Sequence, residues 1–133
     1  MARNVGPAFI ATGNIAPSRF VRPNVSLDHA VQQAAAAELP IGISQECMQY
    51  AQFDLGISNT NAATSGQPIN VYTEGEECLL ELGGTVTAGV RLKPDSDGKG
   101  VLGTLGTDAV GATSLEAGVS GDLIRVQVHI DNP

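Results

Sequence analysis

The sequence predicts an all-β domain. Turn formers recur along its whole length, with 16 Gly and 7 Pro in 133 residues. Short apolar runs lie between them, the signature of many short strands. One C-terminal stretch alternates strictly. Ile124, Val126, Val128 and Ile130 fall on one side, and Arg125, Gln127 and His129 on the other. That is the period of a strand with one buried face. The core must be aliphatic, because the chain has no Trp, 3 Phe and 2 Tyr against 42% apolar residues overall. A chain of 133 residues fits one domain, and it can bury roughly two-thirds of its unfolded surface.

In chain order, residues 8–12 and 19–22 are the first candidate strands. Residues 26–38 read as a helix from local signals: Ser26 as cap, Asp28 in the first turn, an alanine run, and Pro40 as the stop. The apolar face of that helix is weak, since only Leu27 and Val31 are large. After Pro40, Ile41-Gly42-Ile43-Ser44 alternates. Residues 59–66 are rich in Gly, Ser, Thr and Asn and read as a loop. Ile69, Val71 and Thr73 share one face of a strand, and Thr73-Glu74-Gly75-Glu76 reads as a hairpin turn leading to a return strand over residues 78–82. Val90 and Leu92 alternate with Arg91 and Lys93, a half-exposed strand.

Charge is unevenly placed. Residues 1–27 hold Arg3, Arg19 and Arg22 and no acid, so they carry +3; residues 28–133 carry -10, giving the net -7. An acidic body argues against a surface that grips nucleic acid or anionic lipid. The scarcity of rings argues against base stacking. No apolar run approaches the ~18 residues of a membrane span, and Met1 opens no signal-peptide pattern, so synthesis in a cytoplasm is expected. The cysteines, Cys47 and Cys78, stand 31 residues apart with no CxxC. They read as free thiols and not as metal ligands.

Three motifs touch on chemistry. Gly98-Lys99-Gly100-Val101-Leu102-Gly103 matches GxGxxG, but a turn precedes it and no helix pattern follows, so a glycine-rich hairpin explains it better than a nucleotide site. Asp95-Ser96-Asp97-Gly98-Lys99-Gly100 resembles the start of a calcium loop. Lys99 stands where an oxygen ligand belongs and Gly106 where the glutamate belongs, so a tight turn with a left-handed Gly is the reading. Glu74, Glu76, Glu77 and Glu81 cluster near the expected hairpin, as a solvated rim without the cleft that paired catalytic carboxylates need. His29 and His129 are each alone, and no GxSxG occurs. The expectation is no enzyme, no catalytic residue, no metal site and no cofactor.

Stretches in a fixed order carry a resemblance. They are residues 15–21 (IAPSRFV) with 40–44 (PIGIS), residues 83–99 (GGTVTAGVRLKPDSDGK) and residues 114–128 (SLEAGVSGDLIRVQV). In order and spacing they resemble the small capsid cement, or head-decoration, proteins of tailed bacteriophages, over most of residues 8–130. The middle stretch is the most specific. The resemblance implies a small β-barrel, β-tulip-like, with short strands, an irregular N-terminal arm and at most one short helix. It turns residues 30–34 into a strand, with at most a helical turn over 35–39. It also implies a homotrimer on the outer surface of the head shell that bridges coat subunits. This chain departs from the family in a longer polar loop around 56–66 and an extended N-terminus.

The expectation is an arm over residues 1–20 and a single β-rich domain over 21–133. The partner is the major capsid protein, the location the virion, with no membrane and no nucleic acid contact. The capsid-contact residues expected are Arg3, Phe9, Arg19, Phe20 and Arg22, because the acid-free segment carries two of only three Phe. Docking through three linked copies lets modest patches hold tightly. The alternatives are a carbohydrate- or host-surface-binding β module, disfavoured by few aromatics, and a small barrel enzyme built on Glu74 to Glu81.

Overall fold

The computed structural model describes residues 9–24, 29–36, 38–45, 62–104 and 106–131. Among these residues there is no helix, and eleven strands form two sheets. The first sheet holds β1 (Phe9–Ala11), β2 (Phe20–Pro23), β3 (Ala30–Gln33), β4 (Gly42–Ser44), β5 (Pro68–Ile69) and β6 (Val71–Tyr72), in the order β5-β1-β3-β2-β4-β6. Its pairings are antiparallel except β1 with β3. The two edges, β5 and β6, are consecutive in sequence with only Asn70 between them. Gln45 ties that residue from β4's side: its N–H donates to the Asn70 carbonyl and its Oε1 accepts from the Asn70 N–H, each at 3.0 Å. The sheet is therefore a nearly closed small barrel, as the resemblance implied.

The second sheet holds β7 (Glu77–Glu81), β8 (Arg91–Pro94), β9 (Gly100–Leu102), β10 (Val110–Ser114) and β11 (Leu123–Asp131), in the order β7-β11-β10-β8-β9. A single parallel bridge between Leu82 and Gly100 joins its outer strands. Each sheet has its own core. Ala11, Val21, Val31, Ile69 and Val71 fill the six-stranded barrel, with Ile15, Ala62 and Ala63 closing it. Leu80, Leu82, Leu92, Ala112, Ile124, Val126 and Val128 line the inner face of the second sheet. Phe20, Ala34 and Ile43 join that second cluster from the first sheet. β2 thus serves both cores: Phe20 points one way and Val21 the other, as successive strand residues must.

Several sequence readings change here. Residues 1–8 of the expected arm lie outside the described residues, but Phe9–Ala11 is a barrel strand and Ile15 is buried and bridged to Ala63. Of the two readings of residues 26–38, the strand that the resemblance implied over 30–34 is present as β3, and the local helical signals are overridden. Weak apolar spacing lost to pairing with β1 and β2; residues 25–28 lie outside the described set. Past β3 comes a turn at Ala36, where the Glu38 carboxylate accepts from the Ala35 N–H at 2.8 Å. Ala62 and Ala63, in the predicted loop, are buried plugs.

The turn at Glu74-Gly75 exists, but it is no hairpin. β6 pairs with β4 and β7 with β11, so the chain changes sheets there. The Gly75 N–H donates to Val128 and the Val128 N–H to Glu76, each at 2.8 Å, and this hooks the turn onto β11. β11 follows the predicted alternation through Val128. Beyond it, His129 and Ile130 together stand opposite Gly111, since Val110 pairs with Asp131 and Ala112 with Val128. That bulge leaves Ile130 half-buried.

Candidate functional site

Of the five residues expected to meet a coat subunit, the four that are described are not brought together as one patch. Arg3 lies outside the described residues. Phe9 is half-buried in β1, and its ring stacks on His29 with centroids 4.4 Å apart. Phe20 is fully buried. Its ring lies against Gly111 so closely that a Cβ there would stand 2.6 Å from Phe20 Cε1. A side chain so enclosed cannot touch a partner, so Phe20 is a core residue and not a contact. Arg22 Nε lies 2.8 Å from Glu38 Oε1, which neutralises it within the fold.

Arg19 belongs to a junction between the sheets. Its Nε and Nη2 donate to Glu81 Oε1 at 3.3 and 3.0 Å, and its Nη1 donates to the Asp97 carbonyl at 3.0 Å. Lys99 Nζ approaches Glu81 Oε2 at 3.6 Å. The Arg19 and Glu81 side chains are only 16% and 26% exposed, so this pair is screened less than a surface one. Around it, the Phe20 N–H donates to the Gly98 carbonyl at 2.8 Å and Gln33 Nε2 to the Asp97 carbonyl at 2.9 Å. Ser44, fully buried, donates to Ala16 O at 2.7 Å and accepts from the Arg19 N–H at 3.0 Å. Ser18 sits at φ 57; its N–H donates to Gln45 O at 3.1 Å, and its carbonyl accepts from the Glu81 N–H at 3.0 Å. The basic segment read from sequence as a docking arm is, at Arg19, a clamp holding one sheet to the other.

The Asp95–Gly100 stretch confirms the tight-turn reading. Asp95 Oδ1 accepts from the Asp97 and Lys99 N–H groups at 2.8 and 2.9 Å, and Gly98 takes φ +79. No helix follows the GxGxxG glycines; Gly100 opens β9. The acidic cluster disperses. Glu74 pairs with His129 at 2.9 Å, Glu76 is buried and caps Thr73 N at 2.8 Å, Glu77 is exposed, and Glu81 joins the junction. In the loop after β9, Asp108 Oδ2 accepts from the Thr104 N–H at 2.9 Å and meets Lys93 Nζ at 3.2 Å. The backbone hydrogen bond first, and the ammonium second, hold its carboxyl below the ordinary value of 3.8.

The sequence reading missed the outer face of the second sheet as a unit. Its rows follow from the register: Arg91 pairs with Thr113, Thr113 with Gln127, Gln127 with Glu77, and Arg125 with Leu79. A groove of about 190 Å³ is lined by Glu77, Cys78, Leu79 and Arg125. Leu123 is 54% exposed and Leu115 42%, both large apolar residues beside Arg125. The alternation signalled this face; what it did not signal was that apolar side chains are interleaved with the charged ones.

No protein-family model matches the chain, and no curated protein does. Among solved structures it is similar to the N base of the head fiber gp8.5 of bacteriophage phi29. The match covers 91% of this chain and 90% of that one, with a TM-score of 0.61. The two share a fold. Sequence identity is 16%, so the likeness is one of architecture. It spans both sheets, since 91% of the chain cannot be covered by either alone.

Proposed function

We propose that the chain is a structural protein of a tailed-phage virion: a capsid cement or decoration protein, bound as a homotrimer to the major capsid protein on the outer surface of the head. The observation that carries this reading is the fold shared with a phage head fiber base over 91% of the chain. The ordered sequence resemblance to head-decoration proteins supports it independently. The role is mechanical and involves no catalysis. Its physical basis is a small stiff body, two sheets clamped by Arg19, Glu81 and Lys99, that bridges neighbouring coat subunits and resists their separation. Of the contacts expected from sequence, Arg3 and Phe9 are carried forward. Phe20, Arg19 and Arg22 are withdrawn, because the fold itself engages them.

The test is reconstitution on phage heads that lack the protein. Added chain is expected to co-sediment with the heads at saturating stoichiometry and to raise the temperature at which they release DNA. Light scattering is expected to give a mass near three times 13.6 kDa. A chain lacking residues 1–8 keeps β1 and is expected to bind weakly. A longer deletion through residue 14 would remove β1 and test folding instead. Heads that bind no added chain would overturn the reading.

A further inference from the structure

Asp97-Gly98 is the one Asp-Gly step in the sequence, and no Asn-Gly occurs. An aspartate followed by glycine is able to modify itself. The nitrogen of the glycine attacks the aspartate Cγ, since no Cβ on the glycine shields that nitrogen. The N–Cγ bond forms, the amide proton and the carboxyl hydroxyl leave together as one water, and a five-membered cyclic imide results. Water then reopens the ring at either carbonyl. One product is the original aspartate. The other is isoaspartate, in which the main chain runs through Cβ and Cγ and is one atom longer. Water is the sole co-reactant, and nothing is oxidised or reduced.

The fold offers the carboxyl and withholds the nitrogen. Asp97 is exposed at the tip of the β8–β9 turn, while Gly98 is buried. The nitrogen belongs to the flat, stiff peptide plane between the two residues. To reach Cγ, that plane must swing about the Asp97 Cα–C bond, and both of its ends are held. At one end the Asp97 carbonyl accepts from Arg19 Nη1 at 3.0 Å and from Gln33 Nε2 at 2.9 Å. At the other the Gly98 N–H donates to the Asp95 carbonyl at 3.1 Å. The flanking planes are held as well: the Asp97 N–H donates to Asp95 Oδ1 at 2.8 Å, and the Gly98 carbonyl accepts from the Phe20 N–H at 2.8 Å. Arg19, Phe20 and Gln33 come from the first sheet, in or next to β2 and β3. Attack on Cγ therefore requires the junction between the sheets to open.

We propose that Asp97-Gly98 is a self-modification site gated by the junction between the two sheets. With the junction closed the turn is inert; with it open the turn forms the imide and then isoaspartate. The lengthened main chain does not fit back, since even an added Cβ on Gly98 would stand 3.1 Å from the Ala34 carbonyl oxygen and 3.2 Å from that of Phe20. A molecule that has opened is thereby marked and left with a weakened junction. The gate lies within one chain and needs nothing of the head-protein reading.

The full chain is incubated in warm neutral buffer, folded and in urea, and isoaspartate at residue 97 is measured over time by peptide mass spectrometry with electron-transfer fragmentation. The rate should follow the population of the open turn. Isoaspartate is expected to accumulate in urea and to be strongly suppressed in the folded chain, and Asp97→Glu, which would need a six-membered ring, should abolish it. Arg19→Gln removes a charge-assisted hydrogen bond from the gate and should raise the folded-state rate about tenfold, with the rate in urea unchanged. Gln33→Ala should also raise the folded-state rate alone. Ile69→Val, in the barrel core and on a strand that does not touch the turn, lowers overall stability and should leave the folded-state rate as it is. The isomerised chain, separated by chromatography, should melt below the aspartate form. Equal rates in buffer and urea, or no isoaspartate in either, would overturn the proposal. So would an Ile69→Val rate as high as that of Arg19→Gln, since global unfolding would then be the gate. An isomerised chain that melts with the unmodified one would overturn the weakened junction.

Discussion

Gly98 occupies the tip of the β8–β9 turn where the second sheet rests on the first, and alanine there tests how firmly the sheets are joined. Its φ is +79, and a Cβ built on it would lie 3.1 Å from the Ala34 carbonyl oxygen, 3.1 Å from Gln33 Cγ and 3.2 Å from the Phe20 carbonyl oxygen. Two of those atoms are backbone and belong to the paired strands β2 and β3 or their ends, so they yield only if the sheet moves. Gly121 is the control, with φ +93 and nothing within 4 Å of an added Cβ. Both alanine variants carry left-handed strain of about 1–2 kcal/mol. Both recover about 0.4–1 kcal/mol from the stiffer unfolded chain. Gly98→Ala alone adds overpacking of about 1–3 kcal/mol. The expected losses are therefore about 1 kcal/mol for Gly121→Ala and about 3 kcal/mol for Gly98→Ala, a separation of about 2 kcal/mol. At about 4 °C per kcal/mol for a domain of this size, the melting temperatures should differ by about 8 °C. Urea unfolding and calorimetry on both variants measure this. Equal losses would refute the reasoning, because they would show that the turn lifts off its neighbours at no cost.

Phe20→Ala is expected to destabilise the chain by about 3–5 kcal/mol, read by urea unfolding, as a large side chain lost from a closed core. Any head binding should scale with the folded fraction only. For Arg19 and Glu81, a double-mutant cycle with alanine should give a coupling of about 1–2 kcal/mol, between an exposed pair and a buried one. A coupling near zero would remove the clamp. Asp108, whose folded carboxyl titrates below its ordinary value of 3.8, adds stability that is fully present above that value and is lost as pH falls through the lowered one. The Thr104 amide should therefore exchange faster in strong acid, and Asp108→Asn should flatten that dependence. An Asp108 midpoint at or above 3.8 by carboxyl NMR would contradict the geometry.

Much of the strand content was legible, because alternation is a local signal. β11 could be read residue by residue through Val128, and β4, β7 and β8 within a residue or so. β10 was missed: Val110-Gly111-Ala112-Thr113-Ser114 is short and built of small residues, and its burial comes from β8 and β11, which lie on both sides of it. β3 looked helical because alanines and a cap favour a helix locally, and only pairing across the barrel decides otherwise. The site was less legible than the fold. An acid-free basic segment implies free cations, yet the carboxylates that neutralise Arg19 and Arg22 come from Glu81 and Glu38, remote in sequence. The described arginines with no carboxylate in salt-bridge distance, Arg91 and Arg125, sit instead in the strands whose pattern was plainest. Which charges remain unmatched is a property of the folded pairing, and no local window reports it.

Asn70 separates the two edges of the six-stranded barrel by a single residue, and this couples their registers. Slipping β5 against β1 drags β6 against β4, and a one-residue slip would turn Ile69 and Val71 together out of the core. Misalignment is thus penalised twice for one movement. Among the described residues the same joint leaves no long bare strand edge on the barrel, and Pro68 blunts the short one at β5. Copies of this molecule held at high local density, as on any repeating lattice, therefore present no long barrel edge among the described strands through which to polymerise. Lengthening the joint by a few flexible residues would release both edges at once and turn a self-limiting fold into one prone to edge-to-edge association.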